Sequence, residues 1–222
     1  MTTLLLVRHA TTAATGRRLG GRTETSLDDG GRAQAEAVAD RLAEVPLKAI
    51  YASPLARTSE TAAIVASRHR LSVVPVDGLL EVEYGQWTDR PMKPLYKTKL
   101  WPVIQMRPSL VRFPGGETIR QAQMRAIDAI EELVARHPRD VIAAVTHADV
   151  IKVVVAFYLG QPLDLFQRLV VSPASVTALG LGVGAQPVLT RFNDDGPLTR
   201  DRFAKPPARR KPAGTAKARA HG

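Results

Sequence analysis

Two histidines follow short apolar runs that are typical of buried strands. His9 comes after residues 3–8, and His147 comes close behind residues 140–145. Continuous apolar runs of this length indicate strands that are covered on both faces, as in a parallel sheet. Ligands of open α/β sheets bind beyond the carboxyl ends of the strands, so both imidazoles are expected at an edge where sites form.

Arginines are expected at the same edge. Arg8 precedes His9, and Arg57 lies in the first turn after a strand predicted at 48–52. A guanidinium group binds anionic oxygens through paired N–H donors and keeps its charge, and a helix beginning near Ala148 would add backbone amides. Either histidine alone could merely form a hydrogen bond at a strand end, but both histidines with two arginines indicate an anion pocket containing an imidazole. The loop after His9 holds further candidate donors, namely Arg17, Arg18, Gly20, Gly21 and Arg22.

The rest of the composition excludes several kinds of chemistry. The 222 residues contain no cysteine, which rules out thiolate nucleophiles, disulfides and cysteine-ligated zinc. Neither a signal peptide nor an apolar stretch of the ~20 residues needed to cross a bilayer is visible, so a cytoplasmic protein is expected. The remaining histidines are predicted to lie at the surface: His69, His137 and His221.

The positive charge is concentrated at the end of the chain. Residues 200–222 account for +7 of the net charge of +10, which leaves +3 for the other residues. With its Pro, Ala, Lys and Arg content, the segment 197–222 is predicted to be a disordered, solvated tail. Nucleic-acid contact through this tail is the alternative, but a nucleic-acid-binding domain more often carries its charge on a folded face with aromatic residues.

Strands and helices alternate through residues 1–196, which predicts one domain. The pattern is typical of a three-layer α/β sandwich with a mostly parallel central sheet flanked by helices. A helix is expected to start at Ser53-Pro54, with Ser53 as its cap. Residues 86–116, rich in proline and glycine, are expected to form a lid-like excursion with short helices. The other predicted helices cover about 30–45, 117–136 and 148–158, and the other strands cover 71–76, 175–181 and 188–192, the last two as possible antiparallel edge strands.

Six segments in order resemble one family. Arg8-His9-Ala10 resembles the Arg-His-Gly signature of the histidine phosphatase (phosphoglycerate mutase-like) superfamily, and the resemblance extends over about residues 3–193. The other matching segments are Leu27–Ala35, Ser53–Thr58 with Glu60–Ala62, Leu80–Trp87, Pro114–Thr118 and Val145–Ala148.

The resemblance implies a mechanism and a set of site residues. His9 would attack phosphorus and become a phosphohistidine, while Arg8, Arg57 and His147 would hold the phosphoryl oxygens. Glu81 aligns with the family's general acid, and Glu83 is its nearby competitor. Such a reaction needs no metal or other cofactor, and its partner would be a small phosphate ester. The further residues expected to contact phosphate or substrate are Thr15, Gly21 and Ala148.

The sequence also departs from the family pattern. Ala10 and Ala148 stand where glycines follow the two histidines, and each added methyl group is expected to tighten the pocket slightly. Thr15 replaces an asparagine of many relatives. The extra basic motifs of phosphoglycerate mutases are missing from 88–113, which favours a phosphatase, with a phosphomutase or a weakly active phospho-ligand binder as the alternatives. Aromatic residues of the lid-like excursion could contact an apolar group of the substrate or simply form core.

Overall fold

A six-stranded sheet runs through the middle of the fold. The computed structural model describes residues 1–197. The strands of the sheet are β1 (Thr2–Arg8), β3 (Leu47–Ala52), β4 (Val73–Pro75), β6 (Val141–Thr146), β7 (Val176–Leu181) and β8 (Val188–Asp194), and a separate two-stranded ribbon joins β2 (Arg18–Leu19) to β5 (Arg90–Pro91). Across the sheet, the strands follow the order β4-β3-β6-β1-β7-β8. The first four of these are parallel, whereas β7 and β8 pair antiparallel at one side.

Helices cover both faces of the sheet. Helices α1 (Asp29–Leu42) and α2 (Ala56–Ser67) pack on one face, and α5 (Ile119–Arg136) and α6 (Ala148–Tyr158) pack on the other. Alternate side chains of β1 therefore enter different cores: Leu5 packs with the first pair, and Leu4 with the second. This double burial explains the continuous apolar run, and it confirms the predicted three-layer sandwich.

Side-chain caps mark the starts of α1 and α5, whereas the start of α2 differs from the prediction. The Asp28 carboxylate accepts a hydrogen bond from the Gly31 amide at 2.6 Å, and a capping box at Thr118 begins α5. The expectation that Ser53 caps α2 is wrong, because that helix begins at Ala56 and follows Leu55 without a side-chain cap. The Ser53 hydroxyl group contacts His147 instead.

The segment between β4 and α5 is irregular, as expected. It contains the short helices α3 (Met92–Leu95) and α4 (Leu100–Met106), with single 3-10 turns around them. Trp87 and Phe113 are buried in a third apolar cluster, so these two aromatic residues are core, whereas Tyr96 is about half exposed.

Two sequence predictions concern the surface and the tail. The prediction of a surface position is wrong for His137, whose ring is mostly buried and lies with Nε2 2.7 Å from the Tyr51 hydroxyl oxygen. The tail predicted from residue 197, with His221, lies outside the described residues from 198 onward. Among the helices in the described part of the chain, none is long and apolar enough to cross a membrane.

Candidate active site

The ends of β1 and β6 bring the two histidines together. These strands are parallel neighbours with Arg8 opposite Thr146, and the His9 amide donates to the Thr146 carbonyl at 2.9 Å. The His9 and His147 rings consequently meet edge to face, with centroids 5.2 Å apart. Two adjacent parallel strands that are each followed directly by a histidine are enough to bring this pair together.

Arg57 joins both imidazoles to the loop after β1. Its Nη1 and Nη2 donate to the carbonyl oxygens of Thr23 and Gly21 at 2.8 and 2.6 Å. Its Nε lies 3.3 Å from His9 Nε2, and its Nη2 lies 3.2 Å from His147 Nδ1. The guanidinium group is almost fully buried, and these contacts fix its plane against both rings.

The contacts of His9 determine which ring nitrogen carries the proton. Its Nδ1 lies 2.7 Å from the Ala10 carbonyl oxygen, which can only accept, so Nδ1 is protonated. Arg57 can only donate, so Nε2 presents a lone pair. Burial, with the charges of Arg57 and Arg8, lowers the pKa of His9 to about 3. The ring is therefore neutral near pH 7, and its Nε2 lone pair is directed at the Nε–H of Arg57.

His147 is held from the opposite side by Ser53. The His147 ring is fully buried, and its Nε2 lies 2.9 Å from the Ser53 hydroxyl oxygen. Burial, followed by the nearby His9 and Arg57, lowers the pKa of His147 well below its usual range. Ser53 is a site residue that sequence reasoning assigned to a helix cap, although its position directly after β3 is at the same sheet edge as both histidines.

Arg8 lines the same cleft as His9, and one of its donors is unpaired within residues 1–197. Its Nη1 donates to the Val171 carbonyl oxygen at 2.7 Å, whereas its buried Nε has no hydrogen-bond partner among the described residues. An unpaired N–H in a buried position is costly unless a ligand oxygen satisfies it. Ala148, the first residue of α6, lines the same cleft, so the helix N-terminus also faces this point.

A pair of carboxyl groups borders the cleft. Burial, followed by the charge of Asp149, raises the pKa of Glu81 to about 7. Burial would also raise the pKa of Asp149, but Lys152 and a 2.9 Å hydrogen bond from the Tyr84 hydroxyl group outweigh it and lower that pKa. Asp149 therefore stays charged, while Glu81 can gain or lose a proton near neutral pH. Sequence reasoning missed Asp149 and Tyr84, although Asp149 follows His147-Ala148 at the start of a helix.

Glu81 and Glu83 lie in different surroundings. Glu81 lines the cleft, with Oε1 accepting from the Val82 amide at 2.9 Å and Oε2 4.0 Å from His147 Nδ1. Glu83 is not among the described residues that line it: Oε1 accepts from the Gly85 amide, and Oε2 lies 3.4 Å from Arg22 Nε. The geometry thus favours Glu81 over Glu83 as the carboxyl group that reaches a bound ligand.

The remaining predicted residues have distinct positions. Thr15 and Gly21 both line the cleft; Thr15 Oγ1 accepts from the Thr12 amide at 2.9 Å, and Gly21 has φ +54°, where glycine is favoured. Ala10 is fully buried and packs in the core beneath α1 and α2, so its methyl group does not narrow the cleft as expected. Ala148 does line the cleft.

The donors of the cleft are suited to an anion. In residues 1–197, no three His, Asp or Glu side chains come together as a candidate metal site. The positive groups that line the cleft are Arg8, Arg57 and Arg18, and the last is bound to Asp89 through two N–H···O contacts of 2.6 and 3.0 Å. Two fixed guanidinium groups near a neutral imidazole give the cleft positive donors of the kind that bind anionic oxygens.

Comparisons with known proteins agree on one family. A sequence profile of the histidine phosphatase superfamily (branch 1) matches residues 4–195. Phosphoserine phosphatase 1 of Hydrogenobacter thermophilus is 30% identical over 171 residues, 75% of this chain and 80% of that protein. An acid phosphatase of Mycobacterium tuberculosis is 33% identical over 195 residues, 82% of this chain and 88% of that protein. The solved structure of YhfR from Bacillus stearothermophilus superposes with a TM-score of 0.82 at 29% identity, over 87% of this chain and 98% of that one. The chain therefore belongs to branch 1 of the histidine phosphatase superfamily.

Proposed function

We propose that the protein is a phosphatase that hydrolyses phosphate monoesters through a phosphohistidine on His9. The observation that carries this proposal is the neutral His9 ring, whose Nε2 lone pair lies 3.3 Å from Arg57 Nε in a cleft that Arg8 also lines. A nucleophilic nitrogen needs that lone pair, and a phosphoryl group needs fixed positive donors around it. Both requirements meet at one sheet edge.

In the first step, His9 Nε2 attacks phosphorus and the bond from phosphorus to the ester oxygen breaks. Glu81 supplies the proton that the leaving oxygen takes up, which its raised pKa allows near neutral pH. Arg8 and Arg57 stabilise the oxygens of the transferring group. His147 Nδ1 faces Arg57 Nη2 at 3.2 Å, and arginine can only donate. When the phosphoryl oxygens take over that arginine donor, the Ser53 hydroxyl can donate to His147 Nε2, and Nδ1 can then carry the N–H that binds the same oxygens.

In the second step, the Glu81 carboxylate takes a proton from water as the water oxygen attacks phosphorus. The bond between phosphorus and Nε2 breaks, inorganic phosphate leaves, and His9 and Glu81 return to their starting protonation states. One carboxyl group thus acts first as an acid and then as a base, which requires a pKa close to the working pH.

The cations of the cleft favour hydrolysis over a mutase reaction. A mutase must rebind an intermediate that carries two phosphoryl groups, and the second group would need positive partners of its own. Beyond Arg8 and Arg57, the described residues that line the cleft offer Arg18 alone, which is already paired with Asp89. This supports water, rather than a second phosphorylated molecule, as the acceptor.

The test is a phosphate-ester screen of the full chain with EDTA present. We expect turnover of p-nitrophenyl phosphate and of several alkyl phosphates, and trapping of an acid-labile, base-stable phosphoryl group on His9. The substitution His9→Ala should lower kcat by about 10³-fold or more, while His69→Ala, away from the cleft, should leave it unchanged. Residual activity of His9→Ala within tenfold of the wild type would contradict the assignment of the nucleophile. Phosphate binding without turnover of any ester would instead indicate a phospho-ligand-binding protein.

A further inference from the structure

A second cavity adjoins the proposed phosphate site. It shares four lining residues with the cleft: Leu19, Tyr84, Met92 and Asp149. These four shared residues form the junction, where the two spaces border each other. A leaving group that passes between them would enter the second cavity.

The walls of the second cavity are mainly apolar. Trp101 and Ile104 of α4 lie on one side, and Phe113 and Ile119 form another part of the lining. The polar exceptions outside the junction are Gln105 and Gln167. Concave sites lined mostly by apolar and aromatic side chains bind apolar groups and use a few polar atoms for orientation.

The charges around both spaces disfavour a leaving group that carries a carboxylate. Among the described residues that line the second cavity there is no lysine or arginine, and in the cleft only Arg18 remains beyond the two arginines of the phosphate site. Asp149, at the junction, remains ionised because Lys152 lies 3.1 Å from its carboxylate and Tyr84 donates to it. A carboxylate on the substrate would thus meet a negative group without a free positive partner.

We propose that the preferred substrates are phosphate monoesters of apolar alcohols, alkyl or aryl, without a carboxylate group. This inference rests on the proposed phosphatase function and specifies its leaving group. The ester oxygen lies at Glu81, and the hydrocarbon part passes Tyr84 and Asp149 to pack against Trp101, Ile104 and Phe113. Each methylene group that moves from water into this cavity should then stabilise the transition state, so a longer alkyl ester should react faster than a shorter one.

The first test compares kcat/KM of the full chain for ethyl, butyl and hexyl phosphate and for phosphoserine. We expect kcat/KM to rise by about threefold to fourfold for each methylene until the cavity is filled. Hexyl phosphate should exceed phosphoserine by at least about 100-fold. Equal values along the alkyl series, or a preference for phosphoserine, would overturn the inference, and if His9-dependent turnover persists the proposed phosphatase function would still stand. Absence of turnover for every ester would overturn both.

A pair of variants on α4 then tests the location of the hydrocarbon. Ile104→Thr places a hydroxyl group in the cavity wall and should lower the hexyl-to-ethyl ratio of kcat/KM by about fivefold or more. Val103→Thr makes a similar change at a neighbouring residue that is not among those lining either space, and it should leave the ratio unchanged. Thermal unfolding of both variants identifies any loss of folded protein. An unchanged ratio in folded Ile104→Thr would contradict the proposed path of the leaving group.

Discussion

The two ends of the cleft are built in different ways. At the phosphate end, which comprises Arg8, His9, Arg57 and His147, the side chains arise at the ends of sheet strands or one turn beyond them, and His9, Arg57 and His147 are buried. At the lid end, which comprises β2, β5 and α3, a ribbon of two residues per strand is joined by one ion pair whose side chains are about half exposed. Tyr96, which lines the cleft there, is also about half exposed.

This difference separates the proposed chemistry from substrate choice. Each phosphate-end side chain is fixed by buried hydrogen bonds and by the register of β1 against β6, so moving one of them disturbs the others. The lid end is anchored by the buried Leu95, but most of its other residues are exposed and can change at little cost in stability. We therefore expect substitutions at the phosphate end to affect all esters, and substitutions at the lid end to have small or substrate-dependent effects.

Apart from His9→Ala, the largest loss of activity is expected at the phosphate end, from Arg57→Ala. The guanidinium group contacts both histidines and two loop carbonyl oxygens, and it is proposed to hold the transferring oxygens. Removing such a donor should lower kcat/KM by about 10²- to 10³-fold for every ester, measured as initial rates of phosphate release. The control is Arg68→Ala at the other end of α2, where the arginine forms exposed ion pairs with Glu36 and Asp40; it should stay within about twofold of the wild type. A loss below tenfold for Arg57→Ala would remove this residue from the proposed mechanism.

A smaller and more selective effect is expected from Glu81→Gln. The proposed acid must carry its proton, so with a pKa raised to about 7 the kcat for alkyl phosphates should fall as the pH rises above that value. Glu81→Gln should remove this basic limb and lower the rate of the first step for alkyl phosphates by about 10²-fold. For p-nitrophenyl phosphate, whose leaving group needs no proton, the first step, measured as the burst of p-nitrophenol, should change much less. Full pH profiles of both substrates measure this, with Glu83→Gln as the matched control. If Glu83→Gln gave this pattern instead, the two carboxyl groups would have to exchange roles.

The phosphate end could largely be predicted from the sequence because its positions follow from sheet geometry. An apolar run that ends in histidine places the ring at the carboxyl edge, and two such runs in a mostly parallel sheet bring His9 and His147 to the same edge. The details depend on which atoms meet across long separations. Ser53 and His147 are 94 residues apart, and no local pattern shows that their side chains form a hydrogen bond. The Ser-Pro pair indicated a helix cap, but the hydroxyl group is used at the site instead.

The lid end could be predicted only as an irregular segment. Its helix α3 spans four residues and the neighbouring helix α4 spans seven, too short for periodicity to define them. Their places are set by packing of Ile104, Phe113 and their neighbours into the third apolar cluster, which is a property of the tertiary fold. Asp149 was missed for a related reason, because its role depends on Tyr84 and Lys152 reaching it from other parts of the structure.

An intermediate effect is expected from Ser53→Ala. The substitution removes the hydrogen bond to His147 Nε2 and leaves that buried nitrogen without its partner. We expect kcat to fall by about three- to tenfold for all esters, with little change in KM, because the phosphate end is less well fixed in the transition state. Ser67→Ala is the control, since that hydroxyl group bonds to the Ile64 carbonyl oxygen at the other end of α2. Equal steady-state constants for Ser53→Ala and the wild type would show that His147 does not need this contact.

The smallest effect is expected at the lid end, from Asp89→Asn. Asp89 has a φ of +58°, a conformation that asparagine tolerates nearly as well as aspartate, so the substitution mainly removes the charge that binds Arg18. Exposed ion pairs contribute about 0.2–1 kcal/mol, and the ribbon retains its backbone pairing between β2 and β5. We expect the free energy of unfolding, measured by denaturant titration, to change by less than about 1 kcal/mol, and kcat/KM for ethyl phosphate to stay within about twofold. The difference should shrink as salt is added, because screening weakens the pair in the wild type. A loss of activity for all esters as large as that expected for Ser53→Ala would show that the lid end and the phosphate end are coupled more tightly than their burial indicates.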